Sequence, residues 1–243
     1  MTAIDHRRLW SPADFCRLDE SLCLAIRRCE RQARVLASAC IAIALCAFAY
    51  GFVFGVWRAP LQGLYSALKM PIPFFATVLS SALINTALAQ VQGGRISFVQ
   101  VCQLMLYGMT VTTALMAALS PVIFFFAHQV TAPPLLPQVR TDPAVTHAYH
   151  LVLVTHVAVI AVAGTIGQVK LYHLLRQLTA TSSEALWVLF VWLGVVGFVG
   201  SQWSWLLSPF LCAPEHEPHM IARYYFDYNF YEYVWMALSG KNG

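Results

Sequence analysis

Long apolar runs separated by short polar stretches set the pattern of this chain. Five of them approach the roughly 20 residues that cross a bilayer core: about Val35 to Trp57, Phe74 to Val91, Phe98 to Phe126, Tyr149 to Val169 and Ala185 to Leu207. They predict an all-α, polytopic membrane helix bundle. The chain then divides into a cytoplasmic amphipathic segment (1–34), the transmembrane bundle (35–207) and an aromatic outer tail (208–243).

Two shorter stretches read as helices lying on the membrane surface. Ser11-Pro12-Ala13-Asp14 supplies an N-cap, a proline at the first helical position and an acid in the first turn. Phe15, Leu18, Leu22 and Ile26 follow at helical spacing, a stripe suited to the inner surface with arginines at the headgroups; docking onto a cytoplasmic partner is the alternative. After the first span, Leu61, Leu64, Tyr65 and Leu68 form one apolar face beside Arg58, Gln62, Ser66 and Lys69. This pattern predicts a short interfacial helix, ended by Met70-Pro71-Ile72-Pro73.

The connections are legible too. Gln92-Gly93-Gly94-Arg95 makes a short turn, Ser120-Pro121 predicts a kink in the third span, and the proline-rich stretch from His128 to His147 predicts a semi-rigid loop. Thr181-Ser182-Ser183-Glu184 has capping-box spacing before the fifth span. Small residues mark two faces for close helix packing: Gly51 and Gly55 in the first span, and Gly194, Gly197, Gly200 and Ser201 in the fifth.

Composition and charge fix the class and suggest an orientation. Hydrophobic residues make up 59% and charged residues 11% of the 243, against about 25% charged in soluble domains, which excludes a soluble globular protein. Seven of the 15 Lys and Arg precede the first span. With Arg95, Lys170 and Arg176 they put 10 basic residues inside and leave 5 outside, so the N-terminus is expected in the cytoplasm and the C-terminus outside. No removable signal peptide is expected.

Little in the sequence carries chemistry. The seven cysteines have no zinc-site spacing and read as small apolar fillers. His128, His147, His150, His216 and His219 map to the outer face, with His156 deeper in the fourth span. They read as ordinary polar residues or, alternatively, as metal ligands with Glu215 and Glu217, or as a haem pair of His128 with His150 or His156. No cofactor is otherwise expected. The scarcity of charge inside the spans argues against a proton pump, and Asn85 reads as an interhelical hydrogen bond. The tail from Tyr224 to Trp235 holds eight aromatics in 12 residues. It is suited either to rest on lipid or to bind a protein partner through Tyr228, Phe230, Tyr231 and Trp235. Nucleic acid is not an expected partner, since the run lacks a basic groove.

Trp57, Pro60, Gln62, Ser66, Ala67, Lys69 and Pro71 through Thr77, with Ser208-Pro209-Phe210 and Asn229-Phe230-Tyr231-Glu232, resemble the pattern of a family of bacterial multi-pass inner-membrane proteins. In that family an arginine usually precedes the Pro-Phe pair, where this chain has Ser208. The five-span layout has a more distant likeness to Yip-type membrane proteins. Neither likeness implies an activity. The function expected is a non-enzymatic structural or assembly subunit that contacts membrane lipids and other membrane protein subunits. The alternatives are a transporter or channel for a small or lipidic solute, and a metal- or haem-binding redox subunit.

Overall fold

The computed structural model describes residues 9–91, 97–131, 133, 142–179, 181–214, 216–221, 229–232 and 235. Its regular elements are α-helices: α1 (Pro12–Arg17), α2 (Glu20–Arg27), α3 (Gln32–Val56), α4 (Pro60–Lys69), α5 (Pro71–Val91), α6 (Phe98–Gln129), α7 (Pro143–Arg176) and α8 (Ser182–Leu206). Five stretches are long and apolar enough to cross a membrane, namely α3, α4 with α5, α6, α7 and α8. The protein is an all-α membrane bundle.

Three of the long helices begin at side-chain caps. Ser97 accepts from the Gln100 amide before α6, Asp142 from the Ala144 amide before α7, and Thr181 from the Glu184 amide before α8. Helix α6 continues through Pro121 to Gln129, and its 32 residues extend about 48 Å, more than a bilayer core requires. It is the hub of the bundle, packed against α3, α5 and α7. Helix α8 lies outermost, resting on α5 and more lightly on α7.

Two buried clusters follow from this arrangement. One lies at the N-terminal face, where α3 begins and α7 ends, and includes Ile43, Leu104, Tyr107, Leu171 and Leu174. The other lies at the opposite tail face and includes Tyr50, Phe54, Trp57, Met116, Ile123 and Leu211.

Both predicted surface helices differ from expectation. The N-terminal stretch is two helices, because Leu18 adopts a left-handed conformation (φ 56°) and Asp19 caps a new start at α2. Its apolar stripe is not spread on lipid. Phe15, Leu22 and Ile26 are fully buried in the first cluster, and the Tyr107 hydroxyl donates to the Phe15 carbonyl at 3.0 Å. Segment 1–34 is thus joined to the bundle through its described residues.

Helix α4 is oriented opposite to the interfacial expectation. Gln62, Ser66 and Lys69 are buried, whereas Leu61, Leu64 and Leu68 face outward. The Met70-Pro71 pair does not terminate the helical path, since α5 begins at Pro71. Helices α3 and α4 pack antiparallel at backbone contact distance. A Cβ at Gly51 would lie 2.6 Å from the Ser66 carbonyl oxygen, and one at Gly55 would lie 2.7 Å from that of Gln62. Only glycine allows so close an approach.

Candidate functional site

The inward face of α4 continues the stripe begun by Arg58. Positions 62, 66 and 69 advance by four and three residues, so their side chains share one side of α4, and Arg58, in the turn before it, lies close by. All four donate to backbone carbonyls of the segment after α8. Arg58 Nη2 reaches the carbonyls of Pro214 (3.4 Å) and His216 (2.7 Å), and Gln62 Nε2 those of Pro209 and Phe210 (both 3.4 Å). Ser66 Oγ donates to the Phe210 carbonyl.

Lys69 Nζ donates to the carbonyls of Leu207 (3.0 Å), Pro209 (2.5 Å) and Met220 (2.5 Å), and lies 5.1 Å from the Phe210 ring centroid. An ammonium has three donors, and three carbonyls meet them. Burying a charge costs several kcal/mol. Hydrogen bonds involving a charged group contribute about 1.5–3 kcal/mol each, enough to offset that cost here. A segment with no regular structure is thereby fixed over the end of the bundle.

The tail is fixed in a second way. The Asn229 amide donates to Glu232 Oε2 at 3.0 Å, and the Glu232 amide to Asn229 Oδ1 at 2.9 Å, a reciprocal capping arrangement for the helical turn at 230–232. The Phe230 amide donates to Gln202 Oε1 at 3.0 Å. The Tyr231 hydroxyl contacts Ser201 Oγ at 2.7 Å and donates to the Phe198 carbonyl, while its ring stacks on Phe198 at 4.5 Å. Phe230 and Tyr231, expected to face a partner, are therefore engaged with α8 of the same chain. Trp235 is 70% exposed. Tyr228 lies outside the described residues. The quoted residues of α4, of Ser208-Pro209-Phe210 and of Asn229-Phe230-Tyr231-Glu232 thus build one structure, a cap held by α4 and α8.

The glycines separate into two groups. Gly51 and Gly55 are filled internally by α4, so the small face of the first span is not free for another protein. Gly200 meets Thr77 of α5 at 3.4 Å, and Ser201 meets the tail. Among the described residues, Gly194 and Gly197 have nothing within 4 Å of an added Cβ.

Of the histidines, His216 and His219 come together in the cap, 6.3 Å between ring centroids, with His219 Nδ1 3.4 Å from Cys212 Sγ. His128, His147, His150 and His216 are exposed, and among the described residues no group of three or more His, Cys, Asp or Glu could hold a metal. Between α3 and α7, the Tyr50 hydroxyl and His156 Nδ1 are 2.7 Å apart, and His156 stacks on Phe54 at 3.9 Å. His156 Nδ1 is thus engaged by the Tyr50 hydroxyl of the neighbouring helix.

Other polar groups in the bundle are poorly matched. Among the described residues, Asn85 Nδ2 reaches the Met105 sulfur at 3.8 Å, and Ser81 Oγ, Asn85 Oδ1 and both amide atoms of Gln103 are buried without a partner. Outside the spans, burial pushes the Cys16 and Cys23 thiols up, away from the thiolate form that reacts. No protein-family model, curated protein or solved structure matches the chain.

The sequence carried the α4 signal, a polar stripe on an amphipathic helix, but not its direction. A polar stripe has the same period whether it faces water or backbone carbonyls. The capping pair Asn229 and Glu232 was also legible by spacing and was read instead as part of an aromatic surface.

Proposed function

We propose that this protein is a non-enzymatic structural or assembly subunit of a larger complex in a bacterial inner membrane, joined to another membrane protein through α8. The observation that supports this reading is the open pair Gly194 and Gly197. Glycines 51, 55 and 167 are closed against the chain's own helices, as expected where missing side chains serve helix contact. The pair on α8 is flanked by outward-facing Phe190 and Leu193. A small-residue notch between bulky side chains suits a transmembrane helix of a partner.

The test compares Gly197→Leu with Gly197→Ala in mild detergent. The leucine is expected to remove a co-purifying membrane protein while the chain's own thermal stability is unchanged, because no described residue of the chain occupies that space. The alanine is expected to retain it. Co-purification unaffected by the leucine would sink the proposal.

A further inference from the structure

Between the last turns of α8 and the docked tail runs an open trough of about 770 Å³, within the roughly 300–1,000 Å³ range of ligand clefts. Phe198, Val199, Trp203 and Leu206 of α8 form one side, and Tyr231 and Trp235 of the tail form the other. The polar groups at its edge are mostly satisfied. Gln202 Oε1 accepts from the Phe230 amide and Asn229 Oδ1 from the Glu232 amide. Glu232 is the exception: Oε2 accepts from the Asn229 amide, while Oε1 has no hydrogen bond or ion pair with a described residue and the side chain is exposed.

The occupant follows from that asymmetry. An acyl chain gains little by leaving the bilayer for an apolar wall, because lipid tails are already as apolar as the wall. Selectivity must therefore come from the head, and the head meets a carboxylate oxygen near the end of a membrane span. We propose that the trough binds a membrane lipid whose head carries a primary ammonium group. Its acyl chain lies along α8 and its N–H groups donate to Glu232, a charge-assisted pairing. Phosphatidylethanolamine is the probe, and phosphatidylcholine, with equal charge and no N–H, is its control.

The full chain in mild detergent is offered both lipids with matched acyl chains, and retained lipid is counted by native mass spectrometry. Phosphatidylethanolamine is expected to be enriched about tenfold, the ratio corresponding to one charge-assisted hydrogen bond. Glu232→Gln keeps the capping geometry, which accepts Glu or Gln, but removes the charge, so the enrichment should fall to near unity. Val199→Trp fills the trough and should lower the retention of phosphatidylethanolamine. Slow maleimide labelling of the buried Cys212 verifies that the cap stays folded in each variant. Equal retention of the two lipids by the native chain, or an enrichment that survives Glu232→Gln, overturns the proposal. So does Val199→Trp releasing a polypeptide while leaving lipid retention unchanged.

Discussion

Lys69 shows how a single buried charge can organise a segment that has no helix of its own. Its side chain is 1% exposed and its three donors are met by carbonyls at positions 207, 209 and 220. Lys69→Met would keep the bulk and strand those carbonyls, at a cost of about 3 kcal/mol. The readout is Cys212, which is fully buried in the held segment: maleimide labelling should accelerate by roughly two orders of magnitude, since about 1.4 kcal/mol corresponds to tenfold. Labelling at the native rate would mean that the segment is held without Lys69. Gln103 is the opposite case, a buried amide with neither polar atom paired. Gln103→Met should stabilise the protein by about 1–2 kcal/mol, because each unpaired group carries a desolvation cost. A lower melting temperature in detergent would show that Gln103 has a polar partner.

At the level of elements, the same residue type has opposite consequences on different helices. Gly55→Ala places a methyl 2.7 Å from the Gln62 carbonyl oxygen and should cost about 1–3 kcal/mol, whereas Gly197→Ala meets nothing and should leave thermal stability unchanged. Equal melting temperatures for the two variants would contradict the α3–α4 contact. The difference explains what the sequence could and could not reveal. The spans were legible because crossing a bilayer imposes a length and a composition, both local properties. The glycine faces were visible but not their neighbours, since spacing does not say which surface fills them. The polar face of α4 was read as facing the headgroups rather than the cap, because water and backbone carbonyls satisfy the same donors. Phe15, Leu22 and Ile26 form an apolar stripe equally suited to lipid and to the inner ends of α3, α6 and α7, so periodicity alone could not choose. Around the cap, the residues were named by resemblance and by spacing, and only their joint placement gave them roles.

For the whole molecule, the distribution of exposed charge sharpens the orientation argued from the basic count. Among the described residues, Arg17, Arg27, Arg28 and Arg31 are exposed at the N-terminal face, and Arg34, Lys170 and Arg176 are partly exposed there. The described basic residues at the tail face, Arg58 and Lys69, are 2% and 1% exposed and bonded to carbonyls of the cap. They serve the interior of the protein and present little charge to a headgroup layer. Among the described residues, exposed basic charge is therefore concentrated at the N-terminal face, the distribution expected of a cytoplasmic face. On this basis we propose that the N-terminal face lies in the cytoplasm and the cap outside. Cys29 offers a native probe, because it is the exposed cysteine beside the start of α3, whereas the others are buried or partly buried. In intact cells an impermeant maleimide should leave Cys29 unmodified, and permeabilisation should allow labelling that Cys29→Ser abolishes. Prompt labelling of Cys29 before permeabilisation would reverse the orientation and place the cap, with its buried lysine and its trough, on the cytoplasmic side.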